Sequence, residues 1–319
     1  ATTDKGVSGL VWTKNRDATD NHQWYDSSRG KQLVLASSAQ DGESTVTDGL
    51  QKFLKGGQQI EDDVSINTAG ESFASWNWVA NGGTTASNSD GSITSTVQAN
   101  TTAGFSIVEF VGTGSAATVG HGLGQAPEFI IVKNLTDSSN WLIYSSLFGA
   151  NKYGYLNLTN AWATDTTGFN NVEPTSSVFS VGTANETNGS TDSLVAYCWH
   201  EVDGFSKFGS YTGNGSTDGP FIYTGFKPTW LLIKRTDSST GGNWSIIDNT
   251  RYPANPIGAP LLADSTDAES GLSAITMDLL SNGFKIRNTL NSNNNSSGSY
   301  IYMAFAEHPF VGDGTNPVT

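Results

Sequence analysis

Three stretches of the chain run apolar for several residues and then stop at a lysine. They are Gly9-Leu10-Val11-Trp12-Thr13-Lys14-Asn15, Pro127-Glu128-Phe129-Ile130-Ile131-Val132-Lys133-Asn134 and Pro228-Thr229-Trp230-Leu231-Leu232-Ile233-Lys234-Arg235. Short apolar runs bounded by polar turn residues predict buried β-strands. A polar turn carrying Asp17, Asp137 or Asp237 follows each, and then a second such run: His22 to Asp26, Trp141 to Tyr144, or Trp244 to Asp248. Each pair therefore predicts a β-hairpin.

Further along, each segment closes on an aromatic strand containing Trp76-Asn77-Trp78, Leu194-Val195-Ala196-Tyr197-Cys198-Trp199, or Tyr300-Ile301-Tyr302-Met303-Ala304-Phe305. Strand side chains alternate, so Ala74, Trp76 and Trp78 share one face, as do Val195, Tyr197 and Trp199, and Ile301, Met303 and Phe305. That face is large and apolar, and the opposite one carries mostly small residues. Two leading segments, Gly104-Phe105-Ser106 through Gly112-Thr113-Gly114 and Gly204-Phe205-Ser206 through Gly213-Asn214-Gly215, complete the second and third copies. The first copy has no counterpart, and residues preceding Ala1 are expected to supply it.

Self-similarity of this kind marks a repeat architecture. The predicted fold is all-β, with three tandem antiparallel β-sandwich repeats of jelly-roll or lectin-like type, since about 100 residues suits one such sandwich. The expected divisions are residues 1–80 for the first repeat, 81–103 for a connector, 104–203 for the second repeat, and 204–319 for the third with a C-terminal tail. The connector is read as flexible or turn-rich because Asn81 to Gly91 is dominated by Gly, Ser, Thr and Asn.

Composition narrows the function classes. Net charge is -14 and only 14% of the 319 residues are charged, whereas Gly numbers 36 and aromatic residues make up 11%. Phosphate binding needs clustered Lys and Arg, so no nucleic-acid partner is expected. No apolar run approaches the roughly 20 residues of a membrane-spanning helix, and no membrane insertion is expected. The single cysteine, Cys198, excludes an internal disulfide framework and reads as a core thiol.

Candidate chemistry is sparse. Gly120-His121-Gly122-Leu123-Gly124 leads into a strand rather than a helix, so it reads as a turn and not a phosphate-binding loop. His22, His121, His200 and His308 lack metal-site spacing, and no metal or cofactor is expected. The carboxylates Glu61, Asp62 and Asp63, or Asp264, Asp267 and Glu269, could in principle cleave a glycan, yet neither cluster recurs in the other copies. The chain is accordingly read as no enzyme. Asp26 with Arg29, and Asp248 with Arg251, stand three apart just past equivalent strands and read as structural ion pairs. Flat aromatic rings can stack on sugars. Trp76, Trp78, Trp199 and Trp230 fall within strands and read as core, which leaves Tyr153, Tyr155, Trp162 and Tyr211 as loop-side ligand candidates.

Three groups of residues carry a resemblance to a known family: Val11 to Asp17 with Asp26 to Gly30, Val119 to Lys133, and Gly204 to Lys234. The run Tyr302-Met303-Ala304-Phe305-Ala306-Glu307-His308-Pro309-Phe310 adds to it. Together these resemble a repeated domain of marine bacteriophage proteins. Members of that family look like C-terminal parts of tail-fibre or other particle-surface proteins, often following a lectin-like sandwich. The resemblance implies a bacteriophage virion structural protein, a tail fibre or receptor-binding module that adheres to a host-surface glycan or receptor without catalysis. The implied location is the virion surface, after assembly in the bacterial host cytoplasm, with other virion proteins as partners and a homotrimer conceivable by analogy with fibres. Two alternatives stand beside it: a capsid decoration or knob protein with a packing role, and a tailspike glycan depolymerase.

Overall fold

The computed structural model describes residues 9–54, 57–81, 84–269 and 276–306, and its regular structure is almost wholly antiparallel β-strand. The chain divides into two compact units: residues 1–157 with 163–200, and residues 158–162 with 201–319.

The first copy contributes β1 (Gly9–Asn15), β2 (Gln23–Asp26), β3 (Leu33–Ala36), β4 (Ser44–Thr45), β5 (Leu50–Leu54), β6 (Gly57–Ile60), the single turn α1 (Val64–Asn67) and β7 (Phe73–Val79). One sheet has the order β4-β3-β2-β1-β7, and β5 and β6 pair apart from it. The chain continues through β8 (Ala86–Asn88), β9 (Ser95–Asn100), β10 (Phe105–Val111), β11 (Ala117–Gly120), β12 (Phe129–Asn134), β13 (Leu142–Ser145), β14 (Lys152–Tyr155), β15 (Ala163–Thr164), β16 (Val178–Val181), α2 (Asn185–Asn188) and β17 (Ser193–Trp199). These form a sheet of order β15-β14-β13-β12-β17-β10-β9-β8, with β11 and β16 paired separately.

The second unit holds β18 (Ser206–Thr212), β19 (Phe221–Tyr223), β20 (Pro228–Arg235), β21 (Trp244–Asp248), β22 (Leu261–Leu262), β23 (Met277–Leu280), β24 (Gly283–Ile286) and β25 (Ser299–Ala306). Its sheets have the orders β18-β25-β20-β21-β22 and β19-β24-β23. The three lysine strands thus hold one topological place. Each of β1, β12 and β20 lies between its hairpin partner and the closing strand β7, β17 or β25.

Register agrees as well. Lys14 faces Ala74, Lys133 faces Val195 and Lys234 faces Ile301, while Trp12–Trp76, Ile131–Tyr197 and Leu232–Met303 occupy the next same-face step. A one-residue slip would turn every side chain to the other face, so this agreement fixes which residues are interior.

The two faces of the closing strands are used differently. Ala196 and Cys198 join a core with Val119, Phe179 and Val181 of the β11–β16 pair. Tyr302 and Ala304 likewise join Ile222, Met277 and Phe284 of the three-stranded sheet. In the first copy Val11 and Tyr25 meet Leu50, Phe53 and Ile66. The small-residue faces therefore line a two-layer core. Within the first unit the aromatic faces of two sheets meet instead: Trp24 lies 5.0 Å from Trp141 and 5.1 Å from Tyr197, and Trp78 lies 6.3 Å from Trp199. Tilted and edge-on ring pairs of this sort add roughly 0.5–1.5 kcal/mol each beyond their area burial.

The recurring lysines are fully buried and bonded to main-chain carbonyls. Lys14 Nζ donates to Asn15 O and Ala18 O, and Lys133 Nζ to Asn134 O, Ser139 O and Gln40 O. Lys234 Nζ donates to Gly242 O and Thr159 O. Three donors on a flexible stem can collect the carbonyls of the turn after the strand, which would otherwise be buried unpaired. Burial lowers the Lys133 and Lys234 pKa values to about 8. Gln40 and Thr159 are equivalent positions of the first and second copies, and a second bond repeats with them: Glu43 N donates to Leu135 O as Trp162 N does to Thr236 O.

One expectation is corrected. Residues 81–103 are no mere connector, because β8 and β9 form a hairpin that extends the sheet beyond β10. Alternation at Ser95, Thr96 and Val97, with Asp90-Gly91 between the strands, is a hairpin pattern that the Ser and Thr content masks.

Candidate ligand-binding surface

Strand β19 alternates Phe221, Ile222 and Tyr223, and only Ile222 enters the core. Phe221 and Tyr223 project from the other face and are 45% and 64% exposed, the only exposed aromatic rings among the described residues. Register places Phe221 opposite Lys285 and Tyr223 opposite Gly283, with Asp278 opposite Lys285 on the far side. The absence of a side chain at Gly283 matters, since a Cβ there would lie 3.0 Å from Phe221 Cε2 and 2.1 Å from Ile222 O.

Charged groups rim this aromatic pair. Lys285 Nζ lies 2.8 Å from Asp218 Oδ1 and donates to Gly219 O, and Arg287 Nε lies 2.6 Å from Asp278 Oδ2. The Lys285 ammonium holds the Asp218 carboxyl below its usual range. Flat apolar rings bordered by donors and acceptors can stack on the C–H face of a sugar while bonding its hydroxyls. Phe-Ile-Tyr alternates equally well with either face inward, so sequence alone does not mark this pair as exposed.

The residues singled out from sequence lie elsewhere. Tyr153 and Tyr155 stand on β14 rather than in a loop, with ring centroids 5.0 Å apart, and both pack partly against the second copy's core. Tyr211 is also a strand residue, on β18. Its ring stacks on Tyr300 at 4.9 Å and its hydroxyl donates to Asn293 O at 2.8 Å. Trp162 does lie between strands, half-buried. Period-2 alternation cannot distinguish a loop tip from a strand with a wide aromatic face, which is why these tyrosines were misplaced.

Asp26 and Arg29 form a buried clasp that recurs at Asp248 and Arg251. Asp26 Oδ1 accepts from Ser28 N at 3.0 Å and Arg29 N at 2.9 Å, and Asp248 Oδ1 accepts from Thr250 N at 3.1 Å and Arg251 N at 2.9 Å. Each guanidinium bonds its aspartate through Nε, reaches back to Trp24 O or Ile246 O, and pairs with Glu43 or Glu269. Tyr197 OH adds a 2.8 Å bond to Asp26 Oδ2. The side chains of both Asp–Arg pairs are at most 5% exposed, so their charges depend on one another. At the same place in the second copy Ser145 Oγ accepts from Leu147 N, preserving the turn without a charge.

Beside the first clasp lies a cleft of about 290 Å³ lined by Arg29, Glu43, Glu109, Thr136 and Ser193. Burial, with the Asp26 and Glu43 carboxylates adding to it, raises the Glu109 pKa to about 7. Three of the acidic loop residues serve local structure: Asp63 caps α1 through Ser65 N, Asp264 accepts from Trp244 N, and Glu269 belongs to the second clasp. Among the described residues no group of three or more His, Cys, Asp or Glu could hold a metal ion. His308 lies outside them. Cys198 is a buried free thiol whose pKa burial pushes up.

Residues 3–309 match the model of a family described as a domain of unknown function, DUF7483. No curated protein and no solved structure matches the chain.

Proposed function

For a chain that belongs to the DUF7483 family, we propose a non-catalytic adhesion module of a bacteriophage particle, a tail fibre or receptor-binding part that engages host-surface glycans through Phe221 and Tyr223. The observation that carries the binding reading is this exposed, charge-rimmed aromatic pair on an otherwise inward-packed sheet. The particle assignment is supported by the resemblance of residues 204–234 and 302–310 to phage surface proteins. Three tandem sandwiches, built on the sheets of β1, β12 and β20, would carry the sugar-binding face. The shared strand order and register support that division. Weak single-site affinity would be raised by display of many copies, where linked sites gain about 10² to 10⁴ in avidity without new contacts.

A glycan array followed by calorimetry on the best ligand tests this reading. Changing Phe221→Ala and Tyr223→Ala together should weaken binding by at least about tenfold, a loss of roughly 1.4 kcal/mol. Undiminished binding by that variant, or release of oligosaccharides from host envelope by the purified protein, would overturn the proposal. Antibody labelling of intact particles separates the tail from the head lattice.

A further inference from the structure

The second and third copies each carry an arch with no counterpart in the first copy among the described residues. In the second copy β10 lies against β17, a glycine turn crosses over, and β11 returns to pair with β16. In the third, β18 lies against β25 and β19 pairs with β24.

One asparagine anchors each turn. Asn188 Oδ1 accepts from Thr113 N at 2.7 Å, and its Nδ2 donates to Ser115 O and Gly182 O, each at 2.7 Å. Asn294 repeats the set: its Oδ1 accepts from Asn214 N at 2.9 Å, and its Nδ2 donates to Ser216 O at 2.7 Å and Asn288 O at 2.6 Å. Asn67 holds the corresponding position, because its Nδ2 donates to Glu61 O at 2.6 Å, again the carbonyl six residues earlier. Asn188 and Asn294 are fully buried, whereas Asn67 is exposed and no turn crosses it among the described residues.

Among the described residues, the strands around Asn67 are open in the matching places. Ser72 O accepts from Arg16 N on the β1 side, so Ser75, Asn77 and Val79 turn their backbone groups outward. Ser75 and Asn77 are exposed, although their equivalents Ala196 and Cys198, and Tyr302 and Ala304, are buried. Among the described residues only Val79 O at the strand end is taken, by Asn100 Nδ2. Among the described residues strand β6 pairs with β5 alone, and Gln58 Oε1 on it is buried without a partner. Natural edge strands are usually blunted by charge, proline or a bulge, yet Phe73-Ala74-Ser75-Trp76-Asn77-Trp78-Val79 has none of these.

We infer that β7, Asn67 and β6 form a socket, open among the described residues, for a polypeptide strand–turn–strand arch. The arch carries the pattern of this chain's own leading segments. Its first strand runs antiparallel to β7, its Gly-polar-Gly-Ser turn crosses Asn67, and its second strand adds to β6. Main-chain bonds supply affinity in such strand addition, and alternate side chains supply selectivity.

A synthetic peptide of residues 204–223, titrated into the intact protein, tests the socket through the emission of Trp76 and Trp78 and through calorimetry. Saturable one-to-one binding is expected. Gly209→Pro in the peptide removes a main-chain donor facing the socket and should weaken binding by about tenfold or more, while Asn67→Ala in the protein should weaken it severalfold. Absence of saturable binding, or equal affinity for a scrambled peptide, would overturn the inference. So would a dimer in sedimentation that the peptide fails to dissociate, since a second copy would then own the edge.

Discussion

β7 and β25 are the same strand built for different neighbours. Both pair with a lysine strand in the same register, yet β25 lies between β20 and β18 with its central residues buried, while β7 has β1 on one side and exposed Ser75 and Asn77 on the other. The sequences differ accordingly: β25 places Tyr302 and Ala304 where β7 places Ser75 and Asn77. A polar residue at such a position costs little while the strand stays an edge, whereas burial without a partner would cost roughly 1–3 kcal/mol per polar group. Pairing register is thus set by the aromatic face, and the small-residue face adapts to what covers it.

The clasp gives the largest test of how far the copies are interchangeable. Arg29→Met leaves Asp26 buried without its counter-ion and should destabilise the first unit by about 3–5 kcal/mol in denaturant unfolding. Phe148→Met, at the uncharged equivalent, should cost less than about 1.5 kcal/mol. Similar losses at the two sites would show that the charge is not what holds the turn.

Next in size is the lysine hub. Lys133→Met orphans carbonyls of Asn134, Ser139 and Gln40, and should cost about 2–3 kcal/mol, which for a unit of this size lowers Tm by roughly 4–12 °C. A loss under 0.5 kcal/mol would remove the reason given for the lysine's recurrence.

The pH dependence changes sign. Glu109 keeps its proton to about pH 7 in the folded protein, whereas the unfolded chain releases it near 4.5, so stability contributed at low pH is lost as pH rises between those values. Lys133 and Lys234 lose their protons near pH 8 when folded but nearer 10.5 when unfolded, so stability rises again over that interval. Thermal melts from pH 5 to 10 should show a minimum near pH 7 to 8, and Glu109→Gln should flatten the acidic limb. An unchanged acidic limb in that variant would rule out Glu109 as its source.

Smallest of all should be the stability effect of Phe221→Ala with Tyr223→Ala, about 0.5 kcal/mol or less, because both rings already face solvent. A larger loss would mean that the rings support the β19–β24–β23 sheet rather than await a ligand.

The sequence made the pairing scheme legible because lysine-ended strands and aromatic closing strands differ from everything around them. Lys14, Lys133 and Lys234 were visible as equivalents, and the turn from Gly120 to Pro127 leads into β12 as expected. Lost to sequence were features that depend on which side of a strand becomes interior. Phe221 and Tyr223 alternate like core residues, and Tyr211 resembles a loop residue although it stands on β18. The strands β8 and β9 were hidden by polar composition, since a hairpin extending an existing sheet needs few apolar residues of its own. Glu109 did leave a signal, a carboxylate in the middle of Phe105-Ser106-Ile107-Val108-Glu109-Phe110-Val111, and such a group must be paired or shift its pKa.

Residue-resolved amide hydrogen exchange on the intact protein tests the shared scheme and its open edge together. The amides of Ser75 and Asn77 should exchange orders of magnitude faster than those of Ala196, Cys198, Tyr302 and Ala304, while Ala74 and Trp76, turned toward β1, stay protected. Equal protection of Ser75, Asn77 and their four equivalents would show that β7 is already paired on both sides, and would contradict the account.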